Sequence, residues 1–168
     1  MRGSNEHCAE MLAEPLVCDT FHITLHDLAN GMRSQELQEK IENSEYHAKQ
    51  LLGEIKAEDS HRIKLRSTFL FNMMNTSVVL GFAPAEEESC YRLMSLYERF
   101  QSVINLSYPL TPHITMAYYK PGRYGTAQLD RLREVIRYVD ELGRIELELN
   151  AENLAYQCFT DMNHYVIK

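Results

Sequence analysis

Pro112-His113-Ile114-Thr115-Met116-Ala117-Tyr118-Tyr119 is an apolar stretch interrupted by one histidine and one threonine, and its His-Ile-Thr recurs in Phe21-His22-Ile23-Thr24-Leu25. Both copies read as β-strands, because β-branched and aromatic residues dominate them. In a strand, residues i and i+2 point to one face. His22 then projects with Thr24 and His113 with Thr115, while Phe21, Ile23 and Leu25, like Ile114, Met116 and Tyr118, face the other way. The copies lie 91 residues apart (113 − 22), which suits one copy per half of a duplicated unit. Together they offer two imidazoles and two hydroxyls to one cleft.

That inventory matches acid/base work on a phosphate. In-line attack on a phosphodiester needs one group to take a proton from the attacking oxygen and another to give a proton to the leaving oxygen. Histidine does either near neutral pH. Hydroxyls two residues along each strand are placed to hydrogen-bond the non-bridging oxygens and to stabilise charge as it builds. No metal and no other cofactor is called for.

On these two motifs, and on the Pro112–Tyr119 segment above all, the chain resembles the 2H phosphoesterases, which include bacterial RNA 2′–5′ ligase-like proteins and cyclic nucleotide phosphodiesterases. The resemblance implies an α+β fold of two pseudo-symmetric lobes, each an antiparallel sheet with helices on its outer face, around a central cleft. It implies catalytic roles for His22 and His113 and phosphate-binding roles for Thr24 and Thr115. Family members open with an apolar strand before the first helix, whereas this chain begins almost at the helix. The first lobe is therefore expected to lack a strand, through truncation, through substitution by another strand, or by leaving an exposed edge.

Composition bounds the alternatives. A chain of 168 residues, 45% hydrophobic and 24% charged, has the makings of one domain with a single sizeable core. The net charge of −7 argues against a broad surface for duplex DNA, which calls for clustered Lys and Arg. A nucleotide or an RNA end remains a fitting substrate. Cys8, Cys18, Cys90 and Cys158 are scattered without a Cys-x-x-Cys pair, so neither a zinc motif nor a disulfide framework is indicated and a reducing, cytoplasmic setting is the default. No apolar run spans a bilayer and no signal-peptide core opens the chain, so no membrane partner is expected.

Periodicity places the other elements. Residues 5–14 read as a helix ended by Pro15, and residues 16–26 as the first motif strand. Ser34 looks like the N-cap of a long polar helix reaching about residue 58. Strands follow over 62–73 and 76–82 with a turn at Asn75, then a helix from Pro84 to about 104. The second motif strand covers 112–119, and an amphipathic helix runs from about 126 to 142, where Gly143 stops it. Ile145, Leu147 and Leu149 alternate as in a half-buried strand, and residues 152–159 and 163–168 read as a terminal hairpin.

Two further residues are candidates for substrate contact. His26 shares strand parity with His22 and Thr24; it lies about 13 Å from His22 along a strand, too far for the pair to chelate one metal easily. Tyr119 is expected to share a face with His113 and Thr115, where an aromatic ring can stack on a base. Tyr124, Lys120 and Arg123 lie in the loop just beyond. His7, His47, His61 and His164 lack a strand-paired hydroxyl and read as surface residues. The expected activity is metal-independent cleavage of a 2′,3′-cyclic phosphate or a related nucleotide or RNA-end phosphodiester. Its rivals are an RNA- or nucleotide-binding module without turnover and RNA end joining, the microscopic reverse of the cleavage.

Overall fold

Alternating apolar residues between Ile63 and Pro84 fold into the hairpin at the centre of the molecule, a computed structural model that describes residues 8–32, 34–58, 62–161 and 163–167. Strand β1 (Ile63–Met73) turns back into β2 (Ser77–Pro84) through Met74 and Asn75, both at positive φ (51° and 57°). That is the type I′ geometry whose twist matches paired strands, closed by Thr76 N–H donating to the Met73 carbonyl at 2.9 Å.

Helix α1 (Gln35–Glu58) precedes this hairpin, and α2 (Glu87–Gln101) follows it. Strand β3 (His113–Tyr118), helix α3 (Thr126–Glu141) and strand β4 (Glu146–Leu149) come next, then the hairpin of β5 (Gln157–Asp161) and β6 (His164–Ile167). The main sheet has the order β3-β2-β1-β4 with every pair antiparallel, and β5-β6 forms a separate two-stranded sheet. The protein is thus α+β, with three long helices and a curled antiparallel sheet. No described helix is long and apolar enough to cross a membrane.

The reasons for these elements are local. Ser34 Oγ accepts from Leu37 N–H at 3.0 Å, capping α1 as a serine at that position should. Gln128 Oε1 accepts from Gly125 N–H at 2.9 Å at the start of α3. One face of the main sheet, through Ile63, Leu65, Leu80, Phe82 and Ile114, packs on Leu93 of α2 and on Leu132, Val135 and Ile136 of α3. Burying a side chain such as Leu65 completely contributes about 1.5–3 kcal/mol. A second cluster joins Ala48, Leu52 and Ile55 of α1 to Phe100 of α2 and to Ala151 and Tyr156.

Two bulges curl the sheet. In β1 the register slips between Ser67 and Leu70. The displaced backbone is taken up by the turn after α3, where Ser67 N–H donates to the Ile145 carbonyl (2.8 Å) and Ile145 N–H to Ser67 Oγ (2.8 Å). Leu70 N–H donates to Asp140 Oδ1 at 3.2 Å. In β3 the extra residue is Met116, since Val79 pairs with Thr115 and Val78 with Ala117. Bulges of this kind bend a strand and sharpen its twist.

Several expectations are corrected. Residues 16–26 do not form a strand: a 3-10 turn (Cys18–Thr20) is followed by chain without strand pairing among the described residues, since no neighbouring strand supplies the segment with a ladder. Of the helix expected over 5–14, residues 5–7 lie outside the described residues. The rest is a turn at Cys8 that gives way at Leu12 to a β-bridge with Tyr119. Pro84 ends β2 instead of opening α2, its ring being tolerated at a strand end. The observed sheets, one of four strands and one of two, are unequal.

The sheet predicts its own weak point. A Cβ on Gly81, which pairs with His113, would come within 2.6 Å of Thr68 Oγ1 and 3.1 Å of Phe71 Cε1. Gly81→Ala should lower stability by about 1–3 kcal/mol through overpacking, read as a lower urea midpoint at unchanged m.

Candidate functional site

The two motif histidines are held in the same way. His22 Nδ1–H donates to the Thr20 carbonyl at 2.8 Å, and His113 Nδ1–H to the Thr111 carbonyl at 2.6 Å, in each case two residues upstream. A carbonyl only accepts, so the bond assigns the proton to Nδ1 and makes Nε2 the nitrogen that exchanges a proton with anything bound. The 3-10 turn at Cys18–Thr20 aims the first carbonyl. Pro112, sitting before β3, holds the chain extended at the second. Both rings are half-buried, and the His22 ring lies 6.3 Å from that of Phe159 in β5.

The surroundings of the two copies differ. His22, Thr24 and His26 line a cavity of about 910 Å³ whose wall also includes Leu65, Leu93, Phe100, Ile114 and Phe159. Its described lining holds no Lys or Arg. His113 and Thr115 do not line it. They pair with Gly81 and Val79 on β2, so they occupy the face of β3 opposite Ile114. The structure thus groups Thr24 and His26 with His22, and Thr115 with His113.

The bulge at Met116 alters the aromatic beside the second motif. It reverses strand parity, so Tyr118 and not Tyr119 joins Thr115 on the His113 face. Burial pushes the Tyr118 phenol up, and a hydrogen bond from the Thr115 side chain partly offsets the rise. Tyr119 instead packs on the core cluster and bridges Leu12, with its ring 6.4 Å from Tyr124. Tyr124 Oη donates to the Met11 carbonyl and Lys120 Nζ to the Ala9 carbonyl (2.7 Å). These side chains fasten the N-terminal segment to β3. Tyr118 is the residue that strand alternation alone overlooks, since nothing local in Thr115-Met116-Ala117 marks a bulge.

His26 belongs to a link between the motif-bearing segments. Its Nδ1 lies 2.9 Å from the Asp27 carbonyl and its Nε2 3.3 Å from Gln101 Oε1; both oxygens only accept, so a neutral ring donates to one of them. The Gln101 amide is oriented by both backbone groups of Leu106: Oε1 accepts from N–H at 2.6 Å, and Nε2 donates to the carbonyl at 3.2 Å. Tyr108 Oη donates to Asp27 Oδ2 at 2.8 Å. Residues just after the first motif therefore hold the loop that leads into the second. His47 and His164 are exposed, the latter beside Asp161, whereas His7 and His61 lie outside the described residues. Among the described residues no group of three or more His, Cys, Asp or Glu is placed to hold a metal ion.

Comparison of the chain with protein-family models, with curated proteins and with solved structures gives no match.

Desolvation, followed by the hydrogen bond to Asp27, pushes the Tyr108 phenol up to about 12. The fold thus favours the neutral phenol. Its stabilising contribution is present below about pH 10 and is lost as pH rises towards 12. An ultraviolet titration should show Tyr108 ionising late together with Tyr156, whose burial also pushes its phenol up to about 12, and Asp27→Asn should remove one phenol from that late phase by taking away the carboxylate's charge.

Proposed function

We propose that the chain is a metal-independent phosphodiesterase of the 2H phosphoesterase type, acting on a 2′,3′-cyclic phosphate or a related nucleotide or RNA-end phosphodiester. The observation that carries this reading is the repeated histidine geometry, with Nδ1–H given to the carbonyl two residues upstream at both His22 and His113. A ring locked in that tautomer offers its Nε2 lone pair as a general base, and the same nitrogen, once protonated, is a general acid. One ring takes the proton of the attacking oxygen and the other supplies the leaving oxygen. Thr24 and Thr115 hold the non-bridging oxygens while charge builds on them. The main sheet and the β5–β6 hairpin serve as the two lobes, with His26 and Tyr118 near the substrate.

Among the described residues the wall around His22 holds no Lys or Arg, which supports a substrate of low charge, so a single phosphodiester suits it better than a di- or triphosphate. Free, scattered cysteines agree with a cytoplasmic setting. End joining asks for the same base with a ribose hydroxyl in place of water, so it belongs to the same site. One observation favours the second reading, a nucleotide-binding module without turnover: His113 and Thr115 are absent from the lining that His22 and Thr24 share.

Assays with EDTA on cyclic nucleotides, oligonucleotides with cyclic-phosphate ends and cyclic oligonucleotides separate the readings. His22→Ala and His113→Ala should each lower turnover by about 10²–10⁴-fold, with the double variant little worse than either single one. Thr24→Ala and Thr115→Ala should cost about 1.5–3 kcal/mol, or about 10–150-fold in rate. A histidine replaceable with a few-fold effect would favour the binding module. Activity lost on chelation and restored by zinc would point to a metallohydrolase.

A further inference from the structure

Buried backbone groups normally have partners, and the half-buried first motif segment offers backbone groups that have none among the described residues. Its last turn bond runs from Phe21 N–H to the Cys18 carbonyl at 3.1 Å. Beyond it, Ile23, Thr24 and Leu25 are half-buried, yet their N–H and C=O groups make no hydrogen bond among the described residues. These three residues flank the 910 Å³ cavity. Every residue from Phe21 to Gly31 lines it on one side, and every residue from Asn153 to Asp161 on another. Consecutive residues line both walls, so each wall presents backbone to the space as well as side chains. On the second wall, β5 is paired along one edge, to β6.

We infer that this slot receives an extended polypeptide strand, apolar at alternate positions and supplied by another chain. The unpaired N–H and C=O groups of Ile23–Leu25 offer a ladder edge at peptide spacing, which a strand can use and a lipid tail or an aromatic ring cannot. The walls, with Leu65, Leu93, Leu96, Phe100 and Leu149 among them, receive apolar side chains. Asp27 and Asp161 line the same cavity without any Lys or Arg, so basic residues flanking the strand are favoured over acidic or phosphorylated ones. This is strand addition, in which main-chain hydrogen bonds give affinity and side-chain pockets give selectivity. A strand in this slot covers His22 and Thr24, so it competes with the phosphodiester proposed above for the same cavity.

The probe is a fluorescein-labelled nonapeptide with alternating valine and threonine between lysine pairs, followed by fluorescence anisotropy and by amide hydrogen exchange of the full chain. The expected result is saturable binding, with Ile23, Thr24 and Leu25 amides protected only in the complex. Methylating the backbone nitrogens of two central residues should weaken binding about tenfold, through two lost hydrogen bonds. Absence of binding, or equal binding of the two peptides, which would mark a plain apolar cavity, overturns the inference. So does protection of those amides in the free monomer. Protection that grows with protein concentration alone, together with a dimer by light scattering, would assign the slot to a second copy and overturn it equally.

Discussion

The bond pair between Ser67 and Ile145 anchors the bulge that bends the main sheet. A strand that skips a residue leaves its backbone without ladder partners, and such a bulge persists only where something else satisfies those groups. Here the turn after α3 does so, helped by Gly143 at φ +98°. The slip bends β1 across the middle of the sheet. It also brings Thr68 and Phe71 against Gly81, beside the strand that carries His113. The sheet's curl, the lack of a side chain opposite His113 and the path of α3 into β4 are therefore one arrangement.

Much of this was legible residue by residue. Ser34 as a cap, the apolar spacing through Leu37, Leu52 and Ile55, and Gly143 as a stop are local signals, and α1 and α3 lie where those signals put them. The hairpin turn at Asn75 is local too. Phe21-His22-Ile23-Thr24-Leu25 was misread for a physical reason. β-Branched alternation describes a segment that suits a pleated surface, whereas a strand exists only when a neighbour supplies the ladder. The sequence of the segment does not contain its neighbour. The bulge at Met116 is similar, since it depends on where β2 places Val78 and Val79, and with it went the expected parity of Tyr119. The twin histidine bonds lay between these extremes. The motif was visible, but the carbonyl two residues back takes its orientation from a 3-10 turn in one copy and from an extended approach after Thr111 in the other.

The two motif segments also differ in how they are held. His113 and Thr115 sit in a ladder whose bonds to β2 fix their spacing. His22 and Thr24 depend on a turn, on the ring of Phe159 and on the His26–Gln101 contact with its Tyr108–Asp27 companion. Local opening is easiest where backbone hydrogen bonds are fewest. Any adjustment of one half-site relative to the other therefore falls on the first, and Tyr108 links that adjustment to the loop that carries the second.

The sheet edges have a consequence for how the protein behaves at high concentration. An edge strand is a template for uncontrolled polymerisation unless it is short, charged or covered. β4 is four residues long with glutamates at 146 and 148, and β3 is blocked at one end by Leu12 and Ala13. The two-stranded sheet adds the edges of β5 and β6, and β6, though as short as β4, carries no carboxylate or ammonium, with Val166 and Ile167 each 62% exposed. Aggregation, when it occurs, should start there. Trimming or charging this short terminal strand would improve solubility without touching either histidine.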